Sequence, residues 1–267
     1  MNNKNTVRIA FGIVIISLLL AIIIAAGLAA LSKYAFPDID STDLTLLSML
    51  ISTVFIGIPV IFYLRFTGKS LRKHLRVNAI SPNTLISIIV LSIGFIILVD
   101  ELDRIVYTFF GLPDFLEELV EQLKITSFKN GLLIFVATAL VAPIVEEMLF
   151  RGYLQKVLED SWKDITKAIL VTSIFFAMIH LNPYWIVQIY LLGLVLGYLA
   201  WRTNSIIPSI ILHGLNNGFA VFLNNASEKF NHYYNWHAHV HPLWIITAII
   251  LIIIGLKMLT NELELQS

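Results

Sequence analysis

Glu146, Glu147 and Arg151 sit at the end of an otherwise lipid-soluble stretch, GLLIFVATALVAPIVEEMLF from Gly131 to Phe150. A charged side chain at bilayer depth costs about 2.5–3.5 kcal/mol on insertion scales. Three together therefore point to use rather than accident. A second group is Phe176 and His180, one helical turn apart at the end of the apolar run ILVTSIFFAMIH. A third is His213 and Asn217, four apart in IIPSIILHGLNNGFAVFL, so that both would share one helix face. The parts are complementary. A carboxylate can act as general base toward water, and a histidine can hold that water or share its proton. A second histidine and an asparagine can donate to a developing oxyanion. This is the chemistry of amide hydrolysis without a covalent nucleophile. Cysteine is absent, which excludes a thiol nucleophile, thiolate metal sites and disulfides. No G-x-S-x-G pattern offers a serine instead.

Within the first group the two glutamates are not equivalent. Glu147 precedes Arg151 by four, the favourable order for an ion pair on a helix. Burial makes that pairing close to obligatory. Glu146 points about 100° away and keeps no arginine of its own. Structural readings stand beside the chemical one. The three charges could tie a bundle together, or Arg151 could snorkel to the surface. His180 could be held by a helix dipole. His213, Asn216 and Asn217 could be interhelical hydrogen-bond donors, with Gly214 and Gly218 allowing close approach.

E-E-x-x-x-R (Glu146, Glu147, Arg151), F-x-x-x-H (Phe176, His180) and H-x-x-x-N (His213, Asn217), in that order on apolar segments, resemble the CAAX protease and bacteriocin-processing (CPBP, or Abi) family of intramembrane endopeptidases. That family includes the type II CAAX prenyl endopeptidases. The resemblance covers roughly residues 130–225, as a catalytic core inside a single membrane domain spanning 1–267. It implies Glu146 as general base and His180 as the residue that positions or activates the water. It also implies His213 and Asn217 as oxyanion stabilisers, with Glu147, Arg151 and Phe176 in support. The family's cavity opens toward the cytosol. Its roles include peptide maturation, export-linked processing and bacteriocin immunity. Metal-free hydrolysis is the favoured chemistry and no cofactor is expected. Zinc held by Glu146, His180 and His213 is the alternative, although no H-E-x-x-H helix is present. The rival functional classes are a non-catalytic membrane scaffold or regulator that retains the fold, and an ion-coupled transporter. The transporter reading lacks the inverted halves it would need. The expected partners are a membrane-associated peptide or protein substrate and the lipid bilayer.

The elements that must position these groups are membrane helices. Only 13% of the residues are charged, about half the usual share of a soluble domain, and the net charge of +0 gives no case for nucleic acid. The expected fold is all-α, a polytopic bundle of about eight transmembrane helices in a bacterial cell membrane. The predicted spans are about Val7–Leu31, Leu44–Phe66, Pro82–Val99, Lys129 to beyond Phe150, Ile165–Leu181, Tyr184–Trp201, Ile206–Leu223 and Leu243–Met258. Alternate loops are basic (Arg65 to Arg76; Lys156, Lys163 and Lys167; Arg202) and acidic (Asp38, Asp40 and Asp43; Asp100 to Glu121). The positive-inside rule then places both termini in the cytoplasm. Asp114–Lys124 has helical period and is expected to lie on the outer interface. The histidines of NHYYNWHAHVHP are expected in an interfacial aromatic belt rather than in the site. Ser17, Ser48 and Ser52 are expected to bond back to their own helices. One difficulty is visible at this level. Span counting puts Glu146 in the cytoplasmic half and His180 near the outer end, unless the fourth helix extends through Leu158, Pro143 kinks it, or a tilted fifth span or a water-filled cavity supplies the rest.

Overall fold

Short polar caps divide the apolar sequence into separate helices. Ser81 accepts from Thr84 N at 3.1 Å, Ser127 from Asn130 N at 3.2 Å, Asp164 from Lys167 N at 2.9 Å and Ser227 from Phe230 N at 3.3 Å. Each satisfies an amide that would otherwise be left unpaired at a helix start. The computed structural model describes residues 3–35, 41–111 and 113–265. Its elements are α1 (Asn3–Ala35), α2 (Ser41–Phe66), a single turn α3 (Leu71–His74), α4 (Pro82–Phe110), α5 (Asp114–Gln122) and α6 (Phe128–Trp162). They continue with α7 (Ile165–Met178), α8 (Ile186–Thr203), α9 (Ile207–Asn224), α10 (Glu228–Tyr234) and α11 (Pro242–Leu265). An antiparallel hairpin of β1 (Asn235–Trp236) and β2 (His239–Val240) precedes α11.

The all-α bundle is as expected. Among the described residues, α1, α2, α4, α6, α8 and α11 are long and apolar enough to cross a membrane. At 14 residues α7 covers only about 21 Å, short of a hydrocarbon core of about 30 Å. In α9 the residues His213, Asn216 and Asn217 interrupt the apolar run. The third span is also longer than expected. It continues past Val99 to Phe110, so Asp100, Glu101, Asp103 and Arg104 are helical rather than in a loop.

Those helical acids organise one end of the molecule. Asp100 pairs with Arg104 at 2.9 Å and accepts from Tyr234 OH at 3.0 Å. Burial, then the neighbouring Asp100 carboxylate, pushes the Tyr234 phenol well above its ordinary range, so it remains a donor. Glu101 accepts from Val240 N at 2.8 Å and lies 2.8 Å from His239 Nδ1. The histidine-rich segment is thus folded over the end of α4 by specific pairing, in addition to any interfacial role. Asp38 and Asp40, with the side chains of Asp43, Phe115, Glu118 and Leu119, lie outside the described residues. In α5, Leu116 is buried as its period required.

The opposite end gathers the basic loop. Arg76 adopts a left-handed φ of 53° and its carbonyl accepts from Ile206 N at 3.0 Å. Asn78 donates to Asn204 O at 2.7 Å and accepts from Ser205 Oγ at 2.6 Å. Between the ends, Val60, Leu64, Phe150, Leu154, Leu158, Phe176, Leu196 and Leu212 form one apolar core. Ser48 and Ser52 bond back to Leu44 O and Met49 O, but the buried Ser17 hydroxyl has no partner.

The predicted kink at Pro143 takes a different form. Helix α6 runs unbroken for 35 residues, with wide π turns at Val136–Val141 and Met148–Gln155. Proline has no N–H, and its ring crowds the carbonyl four residues back. A π turn immediately before it relieves that crowding. Asn217 Nδ2 then supplies the missing donor, bonding Thr138 O at 3.0 Å. Helix α9 comes close enough that a Cβ on Gly214 would stand 2.6 Å from Ala139 O. Gly214→Val should therefore cost about 1–3 kcal/mol by forcing α9 from α6. Thermal unfolding of the purified protein in detergent would show a lowered Tm, and an unchanged Tm would mean this approach is not tight.

Candidate active site

The depth difficulty disappears because α6 extends through Leu158 to Trp162. Helices α6 and α7 meet at the turn around Lys163 and run antiparallel from it. Glu146 lies sixteen residues before Trp162, and His180 fifteen after Ile165. By helix rise both sit about 22–24 Å above the turn. His180 Nε2 is 3.9 Å from Glu146 Oε2, and His213 Nε2 is 4.0 Å from the same oxygen. Residues from α6, from the turn after α7 and from α9 thus converge on one carboxylate oxygen. That oxygen is buried and has no hydrogen-bond partner.

Both rings are pinned through their other nitrogen. His180 Nδ1 is 2.7 Å from Phe176 O. A carbonyl only accepts, so Nδ1 carries the hydrogen and Nε2 is left facing Glu146. His213 Nδ1 is 3.0 Å from Glu147 Oε1, which orients that ring likewise. Phe176, fully buried, stands edge-on to both imidazoles, with centroids at 4.9 Å and 5.7 Å. Its other role is to receive Arg151, whose Cζ lies 4.0 Å from the ring centroid.

Arg151 and Glu147 are both wholly inaccessible and pair at 2.8 Å, as their spacing predicted. Snorkelling is therefore excluded. Arg151 Nη2 also donates to Gly193 O at 3.2 Å. The stripe continues with residues the sequence reading missed. Gln155 Nε2 donates to Gly197 O at 2.9 Å and to Glu159 Oε1 at 2.8 Å, and Glu159 in turn pairs with Arg76. A Cβ on Gly197 would stand 2.9 Å from Gln155 Oε1, so glycine is needed for α8 to offer its carbonyl. The signal was present as polar residues at 147, 151, 155 and 159. In an α-helix four residues over-rotate by about 40°, which would have wound such a stripe away from one face. The π turns at Met148–Gln155 hold more residues each and keep it in line.

Asn217 is only partly where it was expected. It lies one turn beyond His213 on α9, but one amide hydrogen is committed to Thr138 O and its Oδ1 accepts from Asn216 at 3.3 Å. As for metal, zinc bonds of about 2.0–2.2 Å in a tetrahedron put donors roughly 3.4 Å apart. The spacings of 3.9 Å and 4.0 Å to Glu146 are wider than that. Among the described residues no three His, Asp or Glu side chains are grouped to hold an ion. The arrangement as it stands does not fit zinc.

A helical bundle with a buried carboxylate and two imidazoles at one depth defines a multi-pass membrane protein with an internal polar site. Residues 128–219, about a third of the chain, match the family model for type II CAAX prenyl endopeptidase Rce1-like proteins, and the segment carries all seven motif residues. The family resemblance read from the motifs is thereby shown for that segment. No curated protein and no solved structure matches the chain.

Removing Glu147 alone, as Glu147→Leu, should cost about 3–5 kcal/mol because Arg151 is left buried and unpaired. Glu147→Leu combined with Arg151→Met should recover most of it. Denaturation of the three variants in detergent checks this. Equal losses in single and double variants would mean that the pair does not carry the effect.

Proposed function

We propose that the protein is an intramembrane endopeptidase in which Glu146 activates water for attack on a peptide bond of a membrane-associated peptide or protein. The observation that carries this reading is the buried, unpartnered Glu146 Oε2 with two histidine Nε2 atoms about equally distant. A water bonded at about 2.8 Å to two atoms spaced near 4 Å subtends roughly 90°, an accessible hydrogen-bond geometry. One water hydrogen goes to Glu146 and the other to His180 Nε2, which aims an oxygen lone pair outward. Glu146 takes the proton as the oxygen adds to the carbonyl carbon, and later passes it to the leaving amine. His213, its ring held through Nδ1 by Glu147, would present Nε2–H to the oxyanion, with the second amide hydrogen of Asn217 beside it. The pairing of Glu147 with Arg151 leaves Glu146 as the carboxylate free to change protonation state. The match to the Rce1-like model supports the reaction class.

Glu146→Gln keeps the shape of the side chain and removes the base. Its rate should fall at least about 10³-fold with little change in Tm. Peptidomics of membranes carrying wild type, treated with chelator or not, and Glu146→Gln would read this out. We expect a new peptide terminus in both wild-type samples and none in the variant. A terminus that survives Glu146→Gln would remove the base assignment, and one lost on chelation and restored by Zn²⁺ would replace the metal-free step.

The site lies toward the acid-rich end, since the loop after His180 is tied there by Trp185 Nε1 donating to Asp103 at 2.8 Å. With basic loops inside, we propose that both termini are cytoplasmic and that substrate reaches the site from the opposite side. This reverses the cytosolic opening that the resemblance implied. The chain has no cysteine, so single introduced ones report cleanly. Leu181→Cys, 82% exposed, should react with an impermeant maleimide on intact cells, and Lys69→Cys only after permeabilisation. The reverse pattern would invert the orientation.

A further inference from the structure

A cavity of about 280 Å³ opens near the acid-rich end between α4, α5, α8 and α9. Its polar lining comes from Asp100, Asp103, Gln188, Asn216 and Asn224, set among apolar walls that include Trp185 and Phe219. These groups leave acceptor oxygens open, beside the second amide hydrogens of Asn216 and Asn224 and the amide of Gln188. Asn224 Nδ2 is committed to Val120 O at 2.9 Å, and Asn216 Nδ2 to Asn217 Oδ1 at 3.3 Å. Gln188 Oε1 is buried without a partner. Asp100 is largely engaged by Arg104 and Tyr234. Asp103 is bonded by Trp185 Nε1 through Oδ1 and makes no salt bridge among the described residues. The nearby Arg104 points elsewhere, lying over the Tyr234 ring with its Nε on Asp100.

We propose that this cavity is a subsite for one basic side chain, lysine or arginine, of the peptide substrate. The proposal rests on the peptidase reading for what is bound, and deepens it by naming a substrate feature. A cavity rich in acceptors, with a carboxylate that has no cation, is complementary to a group that only donates. Its apolar walls suit the methylene stem of such a side chain, and Trp185 offers a π face. The volume is below that of a typical small-molecule pocket, which fits one side chain rather than a larger ligand. The cavity also lies beside the site along α9. Asn216 lines it and bonds Asn217, and both follow His213 on α9. From His213 to Asn216 and Asn224 the helix rises about 5–17 Å. An extended peptide advances about 3.3 Å per residue. The basic residue therefore lies about two to five positions from the scissile bond.

The test uses full-length Glu146→Gln protein in detergent and fluorescent decapeptides in which one lysine, moved through every position, is compared with norleucine. At the favoured position lysine should bind about tenfold more tightly. Asp103→Asn, which keeps the acceptor for Trp185, should bring that ratio close to one. Gln188→Lys, which places a cation in the cavity, should lower it too. A ratio of one in the parent protein, or a ratio unchanged by either substitution in folded protein, would overturn the subsite. Hydrolysis of the same peptides by wild type is scored separately. Lysine-selective binding without any cleavage would sink the peptidase reading and leave the subsite standing.

Discussion

A guanidinium shut away from all solvent is the constraint around which this protein is built. Arg151 has no accessible surface, and an unpaired charge there would be untenable. Its needs are met from three directions: Glu147 on its own helix, the Gly193 carbonyl from α8 and the Phe176 ring from α7. Each of those partners has a further consequence. Glu147 is fixed where it can orient His213. The ring of Phe176 packs against both imidazoles, and its backbone carbonyl holds His180. A charge that must be neutralised thus positions groups that belong to neither member of the ion pair.

The two adjacent glutamates divide their work by rotation about one helix. Glu147 faces the arginine and is spent on structure. Glu146, about 100° around, meets two histidine nitrogens at distances too long for hydrogen bonds and keeps one oxygen without a partner. Stability alone does not account for this network. Arg76 Nε, Glu147 Oε2, Arg151 Nε and Gln155 Oε1 are also buried without partners, each at a cost of about 1–3 kcal/mol. An apolar core of the same shape would be cheaper, which is the pattern expected where polarity serves chemistry.

The two π turns of α6 show how backbone irregularity positions a site. The first accommodates Pro143 and is completed by Asn217, so an asparagine expected only at an oxyanion also repairs a helix. The second keeps Glu147, Arg151, Gln155 and Glu159 in one line facing α8. Neither Gly193 nor Gly197 drew notice in the sequence. Small residues at that spacing are common in membrane helices, and only their carbonyls, pointed at Arg151 and Gln155, give them a role.

The sequence by itself determined the helical membrane class, the three motifs, the Glu147–Arg151 bond and the separation of Glu146 from that bond. All of these follow from hydropathy and from spacings within one helix, which are local. It did not determine that His180 and Glu146 share a depth, because that depends on where α6 ends and α7 begins. A helix end is set by what the chain packs against as well as by its own residues. It also could not show that His213 answers to Glu147, that Arg76 closes the far end of the polar stripe, or that the acidic end of α4 lines a cavity. These are contacts between residues tens to more than a hundred positions apart, and only the packing of one helix on another decides them.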